Sequence, residues 1–185
     1  MKHLIIFLFI ILTISALTQP KWQRVGHPLA VDRINEVEVV DGKYVALISR
    51  WDTRESYWNP GFIYFSKDSA KTWEKILLAD TTIDTNNIIK FYKEILISMS
   101  YPDTNFCIVT GNDMLTFTSF DNLKSWNKSN DTTTGHQINK VKFWNNKIGI
   151  LVTKKELTNG AWQWYIQKTL DGGKSWNIIN NKSND

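Results

Sequence analysis

The chain has 185 residues, with 22 basic and 18 acidic side chains for a formal charge of +4, and it carries nine Trp, nine Phe and six Tyr against one cysteine. So small a basic surplus, scattered among Asn, Ser and Thr, lacks the clustered Lys/Arg face that phosphate neutralisation needs, which argues against nucleic acid as a partner. The lone Cys107 excludes an internal disulfide, so stability has to come from packing of the aromatic side chains.

Met1, Lys2 and His3 precede an unbroken apolar run from Leu4 to Leu12 and a softer stretch ending at Thr18. This is the pattern of a secretory signal peptide, 1–18, with Ala16 and Thr18 at the small positions of a cut after Thr18; a cut after Ala16 is the alternative. Gln19 and Pro20 end the apolar stretch short of the ~18 residues a membrane span requires, so no stable membrane insertion is expected. No cysteine follows the run to carry a lipid. The expected mature chain, 19–185, is one domain or part of one, secreted or periplasmic, and losing Lys2 leaves its charge at +3.

Next in chain order, Trp22-Gln23-Arg24-Val25 matches Trp73-Glu74-Lys75-Ile76 in its apolar first and fourth positions and is expected to be an orphan strand. Then comes a repeat. Ser66-Lys67-Asp68-Ser69-Ala70-Lys71-Thr72-Trp73 recurs as Ser119-Phe120-Asp121-Asn122-Leu123-Lys124-Ser125-Trp126 and as Thr169-Leu170-Asp171-Gly172-Gly173-Lys174-Ser175-Trp176, the aspartates 53 and 50 residues apart. A second register starts at Val37, Ile89 and Val141, 52 and 52 residues apart, with β-rich runs after each: Tyr44 to Ile48, Ile95 to Met99, Ile148 to Val152. A third run precedes each aspartate motif (Phe62 to Phe65, Met114 to Thr118, Trp164 to Gln167), and each motif's Trp opens a fourth. No helical period appears after residue 20. Four short antiparallel strands per ~50 residues predict an all-β chain forming a partial β-propeller of three four-stranded blades, at about 34–79, 86–130 and 138–180.

The octapeptides resemble the Asp-box, or bacterial neuraminidase repeat, Ser-x-Asp-x-Gly-x-Thr-Trp, found in sialidases, in the sortilin luminal domain and in photosystem II assembly factors. The resemblance spans nearly the whole mature chain and implies a propeller scaffold, with the boxes on the outer side of each blade; it does not imply one chemistry. An aspartate in a tight turn can accept backbone N–H groups while the following Trp is buried, so Asp68, Asp121, Asp171, Trp73, Trp126 and Trp176 are expected to be structural. The glycine position holds Gly173 in the third box but Ala70 and Leu123 in the others, which predicts looser or differently shaped turns there.

A sialidase would hold its substrate's carboxylate with three arginines from different blades, yet Arg24, Arg33, Arg50 and Arg54 all precede residue 55, and Lys does not replace a bidentate fork. Gly173-Lys174-Ser175 sits in a β-turn with Lys168 where a phosphate loop needs glycine. His27 and His136 are isolated, and the boxes lack the alternating oxygens of a calcium site, so no metal or cofactor is expected. Cys107 reads as a small buried residue. Asp52, Glu55, Asp103 and Glu156 show no spacing that favours glycoside hydrolysis. The triplets at Asn127, Asn130 and Asn181 are glycosylation acceptors only in a host with that pathway.

The expectation is a non-enzymatic exported module that presents a surface to a protein or glycan partner. The alternatives are a carbohydrate-active enzyme of sialidase-like ancestry or a fragment of a larger propeller, since a closed propeller needs at least four blades. Open blade edges would then favour self-association. Trp51, Tyr57 and Trp58, near Arg50 and Arg54, form the candidate binding patch. Trp162 and Trp164 share one parity and so point to one face of their strand.

Overall fold

A computed structural model describes residues 33–50, 62–78, 81–83, 89–91, 96–112, 114–130 and 135–180. The leader, the Trp22 segment and the connection carrying Trp51, Arg54, Tyr57 and Trp58 lie outside the described residues.

The first sheet runs β1 (Arg33–Val40), β2 (Tyr44–Arg50), β3 (Phe62–Ser66), β4 (Glu74–Leu77), each strand antiparallel to the next. The third repeats this order with β11 (His136–Phe143), β12 (Gly149–Glu156), β13 (Trp162–Thr169) and β14 (Asn177–Asn180). Between them lies a sheet of β7 (Leu96–Asp103), β8 (Phe106–Gly111), β9 (Leu115–Ser119) and β10 (Asn127–Asn130). Three consecutive four-stranded meanders, side by side, make a partial β-propeller.

The second blade departs from the expected boundaries. Ile89-Lys90-Phe91 was expected to be its inner strand; instead β6 (Ile89–Phe91) pairs with β5 (Thr81–Ile83) in a separate two-stranded sheet. The inner strand is β7, and Ile95 to Met99, expected as the second strand, falls largely within it. The reason is compensation of loop lengths. The β8–β9 connection spans only 112–114 where the first blade's β2–β3 connection spans 51–61, and Asp103 closes a tight β7–β8 hairpin by accepting the N–H groups of Asn105 (2.8 Å) and Phe106 (3.0 Å); together these shorten this blade. The added connection ahead of it restores the ~50-residue spacing, so a regular period hid an irregular blade.

Lateral packing follows strand alternation. On β8, Cys107 and Val109 face the first blade while Phe106 and Ile108 face the third, so both sides of the middle blade are core. Tyr101 meets Phe65 of the first blade edge-on at 6.0 Å, and Phe143 meets Phe106 of the second at 4.9 Å. Each blade thus buries its inner strand against the blade before it.

Candidate functional site

The three octapeptides fold into one turn, repeated. Asp68 Oδ1 accepts the N–H groups of Lys71 (3.1 Å) and Thr72 (2.9 Å), and its Oδ2 accepts the Thr72 hydroxyl at 2.6 Å. Asp121 does the same with Lys124 and Ser125, and Asp171 takes the N–H and hydroxyl of Ser175. A second oxygen closes each loop: Ser66, Ser119 and Thr169 donate to the aspartate and accept the N–H four residues on, from Ala70, Leu123 and Gly173 at 2.9–3.1 Å. The Thr72 hydroxyl, then its N–H, hold Asp68 at a pKa of about 2; the Ser125 hydroxyl and N–H hold Asp121 at about 2; those of Ser175 hold Asp171 below the usual carboxylate range.

The expectation of looser turns at Ala70 and Leu123 is corrected here. Ala70 (φ 67°) and Leu123 (φ 64°) adopt the left-handed conformation of Gly173 (φ 88°), each after another residue of positive φ. Both side chains are buried, Leu123 in the core shared by the first two blades, and its burial offsets the ~1–2 kcal/mol strain of a left-handed non-glycine residue. Trp126 packs on this core and Trp176 on the core between the second and third blades, while Trp73 is half-buried. The turns also dock on inner hairpins: Ser69 N–H donates to Lys43 O (2.8 Å) and Gly172 N–H to Lys147 O (3.0 Å). Every side-chain oxygen of the aspartates accepts a hydrogen bond within its own turn.

A second constellation, absent from the sequence reading, lines the inner edges. An inner strand has no partner on its axial side, and its free N–H groups need acceptors. Glu36 Oε2 on β1 accepts Met99 N–H of β7 at 2.7 Å and the Ser98 hydroxyl at 2.8 Å. Ser98 and Ser100 in turn accept Val141 N–H (3.2 Å) and Phe143 N–H (2.9 Å) of β11. Positions 36, 98 and 140 are therefore equivalent, as are 38, 100 and 142. At the third blade they hold lysines, which cannot accept; Lys140 and Lys142 instead reach the first blade and pair with Glu36 and Glu38, the latter at 2.6 Å. The signal was in the sequence as Glu-Val-Glu-Val, Ser-Met-Ser-Tyr and Lys-Val-Lys-Phe.

The exposed aromatic surface lies on the third blade. Trp162 and Trp164 are 42% and 55% exposed and share the face opposite Tyr165 and Gln167. Their cross-strand partners are Glu156 and Lys154, and Lys154 Nζ stands 4.2 Å from the Trp162 ring centroid. Of the candidate patch, only the backbone of Arg50, ending β2, is described. Trp51, Arg54, Tyr57 and Trp58 lie outside the described residues. Among the described residues no group of His, Cys, Asp and Glu could hold a metal ion, and no helix is long and apolar enough to cross a membrane. Cys107 is fully buried, which pushes its thiol pKa up.

Three radially arranged four-stranded meanders with committed turns and a polar inner edge define a β-propeller scaffold. No family model and no curated protein matches the sequence. A solved structure described as YCF48 bound to D1 peptide matches with a TM-score of 0.58 at 16% identity, over 82% of this chain and 41% of that one. The likeness shows the fold, and the chain spans about two fifths of the length of that neighbour.

Proposed function

We propose that the chain is an exported, non-enzymatic propeller module of the Asp-box type that presents a binding surface to a protein partner. In this reading residues 1–18 are a leader, 19–185 the propeller region, and the location is secreted or periplasmic. The octapeptide turns are Asp-boxes with a scaffolding role, and no cofactor takes part.

The observation that carries the proposal is the pair Trp162 and Trp164, large rings left exposed on one strand face beside a lysine and a glutamate. Trp is enriched at binding hot spots because it offers much apolar area at little entropic cost. The β2–β3 connection, with Trp51, Tyr57, Trp58, Arg50 and Arg54, occupies the chain position in the first blade that 157–161 occupies in the third, and we place the rest of the surface there. That the neighbour is described as bound to a peptide supports a protein rather than a glycan partner.

The test is a peptide array and a glycan array probed with the mature chain and with its Trp162→Ala/Trp164→Ala variant. Peptide binding lost in the variant is expected. Binding to glycans alone, or peptide binding that the double substitution leaves unchanged, would sink the reading. A fluorogenic sialoside assay on the same protein is expected to show no turnover.

A further inference from the structure

The three blades differ at one internal position. Two residues before each box's Ser or Thr stand Tyr64, Phe117 and Gln167, and directly across the strand pair stand Lys75, Lys128 and Ile178. In the first two blades the lysine lies over the ring, at 5.6 Å from Tyr64 and 5.8 Å from Phe117. The third blade replaces ring and cation with a carboxamide and an aliphatic side chain. At that seam, between β9 and β10 on one side and β13 and β14 on the other, a cleft of about 480 Å³ is open. Pockets that hold organic ligands begin at roughly 300 Å³.

The lining is specific in kind. Gln167 is buried, and its side chain donates from Nε2 to Thr153 Oγ1 at 3.0 Å and makes no other hydrogen bond among the described residues. The same Thr153 oxygen is 3.0 Å from His136 Nδ1, so the two polar side chains are fixed through one hydroxyl. Thr116 and Ser129 supply hydroxyls from the second blade, and Trp176 and Ile178 an apolar floor. Among the described residues no carboxylate lines the cleft.

We propose that this seam is a binding cleft for an extended peptide segment bearing an aliphatic side chain. A carboxamide offers one acceptor and one remaining donor, the complement of a peptide group, while the apolar floor takes the side chain. The inference rests on the reading of the chain as a protein-binding module, but it assigns a site separate from Trp162 and Trp164, which lie on the opposite face of β13.

The probe is N-acetyl-leucine N-methylamide, titrated into the isotopically labelled mature chain and followed through the Gln167 carboxamide and Trp176 indole NMR signals. Saturable shifts of both are expected. The double substitution Gln167→Phe/Ile178→Lys, which installs the second blade's own pair, should weaken binding at least about tenfold, the equivalent of ~1.4 kcal/mol. Thr116→Tyr narrows the cleft from the opposite wall without touching Gln167, and should weaken binding likewise should the double variant not fold. Trp162→Ala/Trp164→Ala should leave the titration unchanged. Absence of saturable shifts, equal affinity in a folded cleft-filling variant, or saturation by N-acetylglucosamine but not by the peptide probe overturns the proposal. Peptide-array binding that depends on Trp162 and Trp164 while the probe fails would remove the cleft and leave the broader reading standing.

Discussion

Asp68 and Asp121 titrate at about 2 in the folded chain against 3.8 for an unperturbed aspartate, because hydroxyl and N–H donors favour the charged form. A carboxylate whose pKa is depressed on folding contributes stability that is full above its unfolded value and is lost as pH falls through its folded value. The three turns act in the same direction, Asp171 included. Stability should therefore be flat with respect to these groups above about pH 4 and decline between about pH 4 and pH 2. Urea melts across that range, compared with an Asp121→Asn variant, check this: the variant should be less stable at pH 6 and show a shallower acid decline. Gly149 offers a second residue-scale test. A Cβ there would lie 2.6–2.7 Å from the Phe143 ring, so Gly149→Ala should force the ring aside and cost about 1–3 kcal/mol in chemical denaturation.

At the scale of the strand and its turn, Trp126 packs on the core between the first and second blades, yet its indole N–H is buried without a partner among the described residues. Trp126→Ala should cost about 3–5 kcal/mol through lost packing and a cavity. Trp126→Phe keeps most of the ring and removes a donor whose desolvation goes uncompensated, so it should fall within about 1 kcal/mol of the parent. Equilibrium unfolding of both variants checks the pair, and equal losses would mean the N–H is not the liability described. The strand pattern was legible because boxes are rigid markers: the third strand ends and the fourth begins around each, wherever they fall. Inner strands have no such marker. Ile89-Lys90-Phe91 satisfied the spacing and the composition of a strand, and what displaced it from the blade was a short β8–β9 connection together with the hairpin closed by Asp103, local differences that periodicity does not see. Left-handed Leu123 was likewise unreadable locally, since the core that buries it is shared with the neighbouring blade. The cleft at Gln167 required knowing which residues lie across the strand pair, which no linear motif states.

Across the whole molecule, the inner edges link blades that are not sequence neighbours. Lys140 and Lys142 are half-exposed while Glu36 and Glu38 are nearly buried, so the first and third blades are coupled by charge across the axis. Lys140→Glu/Lys142→Glu would gather four carboxylates there. The thermal midpoint should fall, and the difference from the parent should shrink with added salt, as screened repulsion does. Glu36→Gln should be milder than Glu36→Val, because the amide oxygen still accepts Met99 N–H whereas the valine leaves a buried donor unmet, at about 1–3 kcal/mol.

The one-way direction of that inner-edge relay bears on how the molecule is made. Acceptors on β1 serve β7, and acceptors on β7 serve β11, so the backbone donors Met99, Val141 and Phe143 find their counterparts in segments that were synthesised earlier. A chain emerging from its N-terminus can lay each meander onto a finished one without waiting for later sequence, much as stacked-repeat proteins grow by nearest-neighbour addition. The lysines of β11 keep that direction but skip a blade, donating to the carboxylates of the first, so their ion pairs form only once the third meander has docked and they latch it to the first.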